Sequence, residues 1–149
     1  QRQMCIRDRP RLARAGMELS LDIADDLPEV DMDENALTLA ILNLVDNAIR
    51  YTPEGGRVDL SVQVLEGKAA LRIEDTGPGI APAERDRVFD PFYRTLGSEQ
   101  IGSGLGLSIV RTIADRIGAE LSLEFSDRTR QTGLAVTVLI PAVSPTSGN

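Results

Sequence analysis

The feature that most constrains the fold is a change of hydrophobic periodicity along the chain. From about residue 32 to residue 51, apolar side chains recur at steps of three and four, which predicts one amphipathic helix. The next two segments, Arg57–Leu65 and Lys68–Asp75, alternate polar and apolar residues on either side of Glu66-Gly67, which predicts a β-hairpin. A helix followed directly by paired strands indicates a layered α/β domain.

Other segments extend this pattern. Residues 16–23, 120–125 and 134–140 alternate like strands, and residues 105–117 repeat like a helix that ends at Gly118. Asp31, with Glu34 three residues later, is the predicted N-cap of the first helix, and Pro82 begins a predicted short helix reaching about Phe89. The order predicts a two-layer α/β sandwich, with a mixed sheet covered on one face by about three helices.

Composition narrows the possible functions. The 149 residues carry a net charge of −7, which argues against a nucleic-acid partner. There is no histidine, which excludes histidine-based catalysis and histidine metal ligands within this chain. Cys5 is the only cysteine, so an internal disulfide and a cysteine-based zinc site are also excluded.

The ends of the chain differ from its middle. Residues 1–9 resemble the translation of an adapter used in sequencing libraries, and we expect them to be non-native; the competing interpretation is a native basic linker. We expect a linker remnant at 10–15, the folded domain at 16–142 and a disordered tail at 143–149. No apolar stretch is long enough for a membrane span or a signal peptide, so a cytoplasmic domain without membrane contact is expected.

Three polar residues share one stripe of the first predicted helix: Asn43, Asn47 and Arg50. An amide among apolar neighbours needs a partner, and its carbonyl oxygen beside phosphates suits Mg²⁺. The competing interpretation is that both asparagines are exposed or bonded to nearby backbone. The glycine-rich loops described next favour the ligand interpretation.

Two glycine-rich loops and an aromatic segment follow. Residues 75–79 leave a strand, where glycines let backbone approach a flat ligand and Asp75 offers an acceptor to an exocyclic amine. Residues 102–106 open a helix, whose free N–H groups favour anions. Phe89 and Phe92 lie between these loops and are expected to anchor a mobile loop, with Arg94 reaching toward phosphate.

Together these segments resemble the catalytic ATP-binding domain of bacterial sensor histidine kinases, in the GHKL superfamily of ATPases and kinases. The N box corresponds to residues 43–53, the G1 box to 75–80, the F box to 88–94 and the G2 box to 102–108. The resemblance covers about residues 16–141. It implies ATP and Mg²⁺ as ligands, and a short lid at about 95–101.

The resemblance also implies roles for individual residues. Asn47 would ligate Mg²⁺, with Asn43 as a second candidate ligand, and Asp75 would bind the adenine amino group. The residues implied to take part in transfer are Asn43, Arg50 and Arg94. The residues implied to contact ATP are Asn43, Asn47, Arg50, Tyr51, Asp75, Gly77, Gly79, Ile80, Gly102, Ser103, Gly104, Leu105 and Gly106.

Three functions remain open under this resemblance. A histidine kinase would transfer phosphate to an upstream dimerisation domain, absent here, and then to a response regulator; its parent would be anchored in the inner membrane and this fragment would be a monomer. The second possible function is an anti-sigma-factor-type serine kinase, and the third is an ATP-binding scaffold without transfer activity. ATP-hydrolysing relatives place a glutamate base where this chain has Asn43, and an amide cannot accept that proton, so efficient hydrolysis is not expected.

Overall fold

The computed structural model describes residues 2–6, 16–90 and 106–143, and in this part of the chain it contains one mixed sheet. The strands are β1 Arg2–Ile6, β2 Glu18–Ile23, β3 Arg57–Leu65, β4 Lys68–Asp75, β5 Glu120–Glu124 and β6 Ala135–Ile140. Their order across the sheet is β1-β2-β3-β4-β6-β5. The β2–β3 pair is parallel and the other neighbouring pairs are antiparallel. The predicted mixed sheet and its hairpin are confirmed.

Two α-helices cover one face of this sheet. Helix α1, Glu34–Tyr51, packs on β3 and β4, while α2, Gly106–Ile117, packs on β5, β6 and α1. Each helix buries a stripe at helical spacing, namely Ala40, Leu44 and Ala48 in α1 and Leu107, Val110 and Ala114 in α2. The two-layer sandwich is confirmed, with two α-helices in the described residues where about three helices were predicted.

The first helix begins two residues later than the predicted capping box requires. Its N-cap is Asp33, whose side chain accepts a hydrogen bond from the Ala36 backbone N–H at 3.0 Å. The prediction of Asp31 as N-cap was therefore wrong. Asp33 accepts a hydrogen bond from a backbone N–H of the first turn that would otherwise lack a partner. Glu34 then lies at the start of the helix, where its negative charge interacts favourably with the helix dipole.

The segment after Pro82 is shorter than predicted. It forms a 3₁₀ helix, Pro82–Glu84, followed by turns rather than one helix reaching Phe89. Because nucleation of an α-helix costs free energy, a segment this short forms the tighter 3₁₀ helix. The predicted helix end at Gly118 agrees with its φ of +71°, which suits glycine after a helix.

The first strand and the last described residue both contact the part of the chain that runs from β2 to the start of α1. Residues of β1 pair antiparallel with β2, from Arg2 opposite Ile23 to Ile6 opposite Leu19. Backbone pairing of this kind does not depend on which side chains are present, so it does not test whether residues 1–9 are native. Their non-native origin stays a prediction. At the other end, the Val143 backbone N–H donates to the Glu29 carbonyl at 2.7 Å. The rest of the predicted tail, 144–149, lies outside the described residues.

Two leucines on α1 allow the packing of the helix to be tested. Leu44 is 1% exposed in the core, whereas Leu42, two residues earlier, is 54% exposed. We expect Leu44→Ala to lower the free energy of unfolding by about 2–5 kcal/mol, because it leaves a cavity. Leu42→Ala is the matched control and should cost less than about 0.5 kcal/mol. Urea unfolding of both variants measures this, and equal losses would contradict the helix orientation.

Candidate nucleotide-binding site

A buried carboxylate lies where β4 ends. Asp75 is 4% exposed, and its Oδ1 accepts hydrogen bonds from the backbone N–H of Gly77 at 2.9 Å and of Leu134 at 3.1 Å. Its other oxygen, Oδ2, has no hydrogen-bond donor among the described residues. The sequence predicted Asp75 as an acceptor, and the structure leaves one of its oxygens able to accept from a ligand.

Burial changes the acidity of this carboxyl group. The pKa of Asp75 is raised from 3.8 to about 6, because desolvation by burial outweighs the opposite effect of the two backbone N–H groups. The group is therefore ionised at neutral pH but lies close to its titration range. A ligand donor to this carboxylate would favour the charged form and lower the pKa.

The loop that follows Asp75 is pressed between two other parts of the chain. A Cβ on Gly77 would collide with the Tyr51 carbonyl oxygen, at the end of α1. Gly79 has a φ of +82°, and a Cβ there would lie 2.6 Å from the Gly133 carbonyl oxygen. The two predicted glycines are thus required by close backbone approaches and by a left-handed conformation.

Residues far along the chain hold this loop in place, and sequence reasoning missed them. The Gly133 N–H donates to the Gly77 carbonyl at 2.7 Å, and the Ser126 hydroxyl donates to the Asp75 carbonyl at 2.9 Å. Ser126 and Gly133 belong to the turn between β5 and β6. An isolated glycine just before a predicted strand was the available signal for Gly133; no pattern singles out Ser126.

One predicted ligand, Asn43 on α1, lies near the start of α2. The Asn43 side-chain nitrogen donates a hydrogen bond to the Leu39 carbonyl at 2.8 Å. The nearby backbone therefore provides a partner for the nitrogen of this amide, and no hydrogen bond is found for its oxygen, Oδ1, among the described residues. That oxygen would lie 3.6 Å from a Cβ on Gly106, the first residue of α2. Asn47 is half-buried and makes no side-chain hydrogen bond within the described residues.

The remaining predicted residues are partly described. Arg50 forms an ion pair with Asp46, with Nε and Oδ2 3.1 Å apart and both side chains substantially exposed. Tyr51 is half-buried and Ile80 belongs to the buried core. Arg94, Gly102, Ser103, Gly104, Leu105 and the lid at 95–101 lie outside the described residues. Their roles, like those of Arg50 and Tyr51 toward ATP, stay predictions.

Acidic side chains do not form a metal centre in the described part of the chain. Within residues 16–90 and 106–143, no group of three or more aspartate, glutamate, histidine or cysteine side chains could hold a metal ion. Over the same ranges, no helix combines the length and apolarity that crossing a membrane requires.

The raised pKa predicts a specific pH dependence. Because the folded-state pKa of Asp75 lies near 6 and the unfolded value near 3.8, the native state binds more protons in this window, and stability falls as pH rises through it. Asp75→Asn keeps an oxygen for the two N–H groups. We expect its free energy of unfolding to exceed the wild-type value by up to about 3 kcal/mol at pH 7, and by little at pH 4. Paired urea titrations at both pH values measure this, and a pH-independent difference would contradict it.

Known proteins resemble this chain in sequence and in fold. RssA, a swarming motility regulation sensor protein of Serratia marcescens, is 42% identical over 113 residues, which are 75% of this chain and 24% of that protein. The structure of the mycobacterial sensor histidine kinase MprB superposes with a TM-score of 0.77 at 35% identity, covering 85% of this chain and 84% of that one.

The full-length ShkA structure, solved in complex with AMPPNP, superposes with a TM-score of 0.73 at 30% identity and covers 92% of this chain and 28% of that one. This chain spans about a quarter of the length of the curated relatives it matches. The family model for histidine kinase-, DNA gyrase B- and HSP90-like ATPases matches residues 32–144. The chain therefore belongs to this family, and the relatives it matches include sensor histidine kinases.

Proposed function

We propose that this chain is the ATP-binding catalytic domain of a sensor histidine kinase, and that it places the γ-phosphate of ATP for transfer to a histidine outside this chain. The observation that carries the proposal is Asp75, buried and held on one oxygen by two backbone N–H groups. The other oxygen is free to accept from the exocyclic amine of adenine, which supports adenine over bases that present a carbonyl there.

The phosphates would bind at the opposite end, between α1 and α2. Gly106 opens α2, and the first N–H groups of a helix attract anions. Arg50 is near the end of α1, and its exposed ion pair with Asp46 is weak enough to exchange for a phosphate. These contacts orient the phosphate chain, which is most of what phosphoryl transfer asks of a protein.

Mg²⁺ fits the donor atoms found here. Asn47 has no hydrogen-bonding partner among the described residues, and Asn43 has its oxygen left over once its nitrogen is bonded to Leu39. Neutral amide oxygens suit a hard cation that brings phosphate oxygens with it and keeps several waters. Asn47 would hold the ion and Asn43 would support it. When bound, Mg²⁺ would neutralise charge on the phosphates.

Transfer to a protein nucleophile is favoured over hydrolysis. Asn43 stands where hydrolytic relatives have a glutamate base, and its amide nitrogen is already donating to Leu39. An amide has no proton-accepting site near neutral pH, so water would not be activated there. A serine kinase or an ATP-binding scaffold would use the same pocket and would differ in the acceptor.

The proposed partners follow from the relatives. The chain has no histidine, so the phosphoacceptor would lie on the dimerisation domain of a longer parent kinase, with a response regulator receiving the phosphate next. We propose that the domain works on the cytoplasmic side of a parent anchored in the inner membrane. By itself it would be a monomer, which sedimentation at several concentrations can test.

Calorimetric titration with ATP tests the pocket. Asp75→Asn should weaken binding at least about tenfold with or without Mg²⁺, because the adenine contact is lost. Asn47→Ala should weaken binding about tenfold with Mg²⁺ and little without it. Asn35→Ala, an exposed asparagine in the first turn of the same helix, is the matched control. Wild-type affinity in both pocket variants would place the nucleotide elsewhere.

Steady-state hydrolysis separates the kinase from the hydrolase. We expect the chain alone to turn over ATP at least about 100-fold below the ~10 s⁻¹ typical of enzymes, because it lacks a general base. At saturating ATP and Mg²⁺, we expect Asn43→Ala to lower this slow rate only modestly, through the lost support of Mg²⁺ and not through a lost proton acceptor. Fast turnover that Asn43→Ala abolishes would favour the hydrolytic class.

A further inference from the structure

We propose that Arg85 is a positioning residue, which holds the adenine-recognition loop (residues 75–80) in its binding shape by joining it to Phe125. The proposal rests on the proposed function, because it assigns Arg85 a role in adenine recognition. Arg85 follows the 3₁₀ helix Pro82–Glu84, whose turn brings the chain back beside the loop.

Arg85 makes two contacts that fix the end of the loop. Its Nε donates to the Ile80 carbonyl oxygen at 3.0 Å, and its guanidinium carbon lies 4.6 Å from the centroid of the Phe125 ring. A planar guanidinium over an aromatic face is an attractive cation–π contact that also directs the side chain. The last carbonyl of the loop is thereby bonded to a side chain that is itself held in place.

Phe125 carries the connection to the recognition residues. Its ring carbons lie 3.0 and 3.1 Å from the position that a Cβ on Gly79 would take, so the ring packs directly on this glycine. The next residue, Ser126, donates its hydroxyl to the Asp75 carbonyl. The turn after β5 thus supports the start of the loop through Ser126 and its end through Phe125 and Arg85.

The half-buried side chain of Arg85 agrees with a positioned residue. Its Nη2 is buried and has no hydrogen-bond partner within the described residues. Leaving a charged donor unpaired is unfavourable, and an arginine that served only as a soluble surface group would keep this nitrogen in water. The contacts with Ile80 and Phe125 therefore hold the side chain against the loop.

The test compares ADP with inosine diphosphate (IDP), by calorimetry with Mg²⁺ on the full chain. Adenine presents an amine to Asp75, whereas hypoxanthine presents a carbonyl oxygen, so the wild type should prefer ADP. We expect Arg85→Gln to weaken the binding of ADP about tenfold and the binding of IDP less than about twofold, because a displaced loop loses the adenine contact. The loss of the positive charge itself would change the affinities for both diphosphates alike, so this effect would cancel in the ratio of the ADP affinity to the IDP affinity.

Three variants complete the experiment. Arg85→Lys keeps a donor for the Ile80 carbonyl and should restore the ADP/IDP ratio to within about threefold of wild type. Arg116→Gln, at an exposed arginine in the last turn of α2, is the control and should leave the ratio unchanged. If Arg85→Gln does not fold, Phe125→Leu removes the ring beneath the guanidinium and should show the same loss of preference.

The outcomes separate this role from the proposed function. A wild-type chain that binds neither nucleotide, or does not prefer ADP, overturns the adenine site and the positioning role together. A wild type that prefers ADP, with an Arg85→Gln variant that keeps that preference, overturns the positioning role alone. A lower melting temperature with an unchanged ADP/IDP ratio would likewise show that Arg85 only stabilises the fold.

Discussion

The arrangement of the site depends on a double link between Asp75 and Leu134. The Asp75 backbone N–H donates to the Leu134 carbonyl at 2.9 Å, and the Leu134 N–H donates to the Asp75 carboxylate. The first bond continues the pairing of β4 with β6 beyond Glu74 opposite Ala135. The carboxylate is therefore held in place by the same strand register that builds the core, and any change in that register would move it.

This link also explains why a buried charge is tolerated. Two backbone N–H groups offset only part of the desolvation, and the pKa near 6 shows that the free domain holds this carboxylate at a cost. In the proposed site, the amine of a ligand would add a third donor and recover part of that cost. A binding site that is organised before its ligand arrives typically carries such a cost in the free protein.

The sequence predicted the parts of this structure that depend on local pattern. The β3–β4 hairpin and the body of α1 follow from periodicity, and Asp75 and its glycines follow from their place after a strand. The N-cap at Asp33 was missed because several acids lie side by side, and backbone geometry selects among them. Ser126 and Arg85 were missed because their partners are set by tertiary contacts: Ser126 lies 51 residues from Asp75, and Arg85 depends on Phe125.

The two ends of the proposed pocket are built differently. Asp75 and its loop are fixed by buried backbone hydrogen bonds, whereas Arg50 is held by an exposed ion pair that can open at little cost. In the proposed pocket, the base end would therefore be more rigid than the phosphate end. This asymmetry would suit a phosphotransferase, because the nucleotide base is the same before and after the reaction while the phosphate chain becomes shorter. Because the chain has a net charge of −7, a bound phosphate would have to be held by local groups, for which we propose helix N–H groups, Arg50 and a cation.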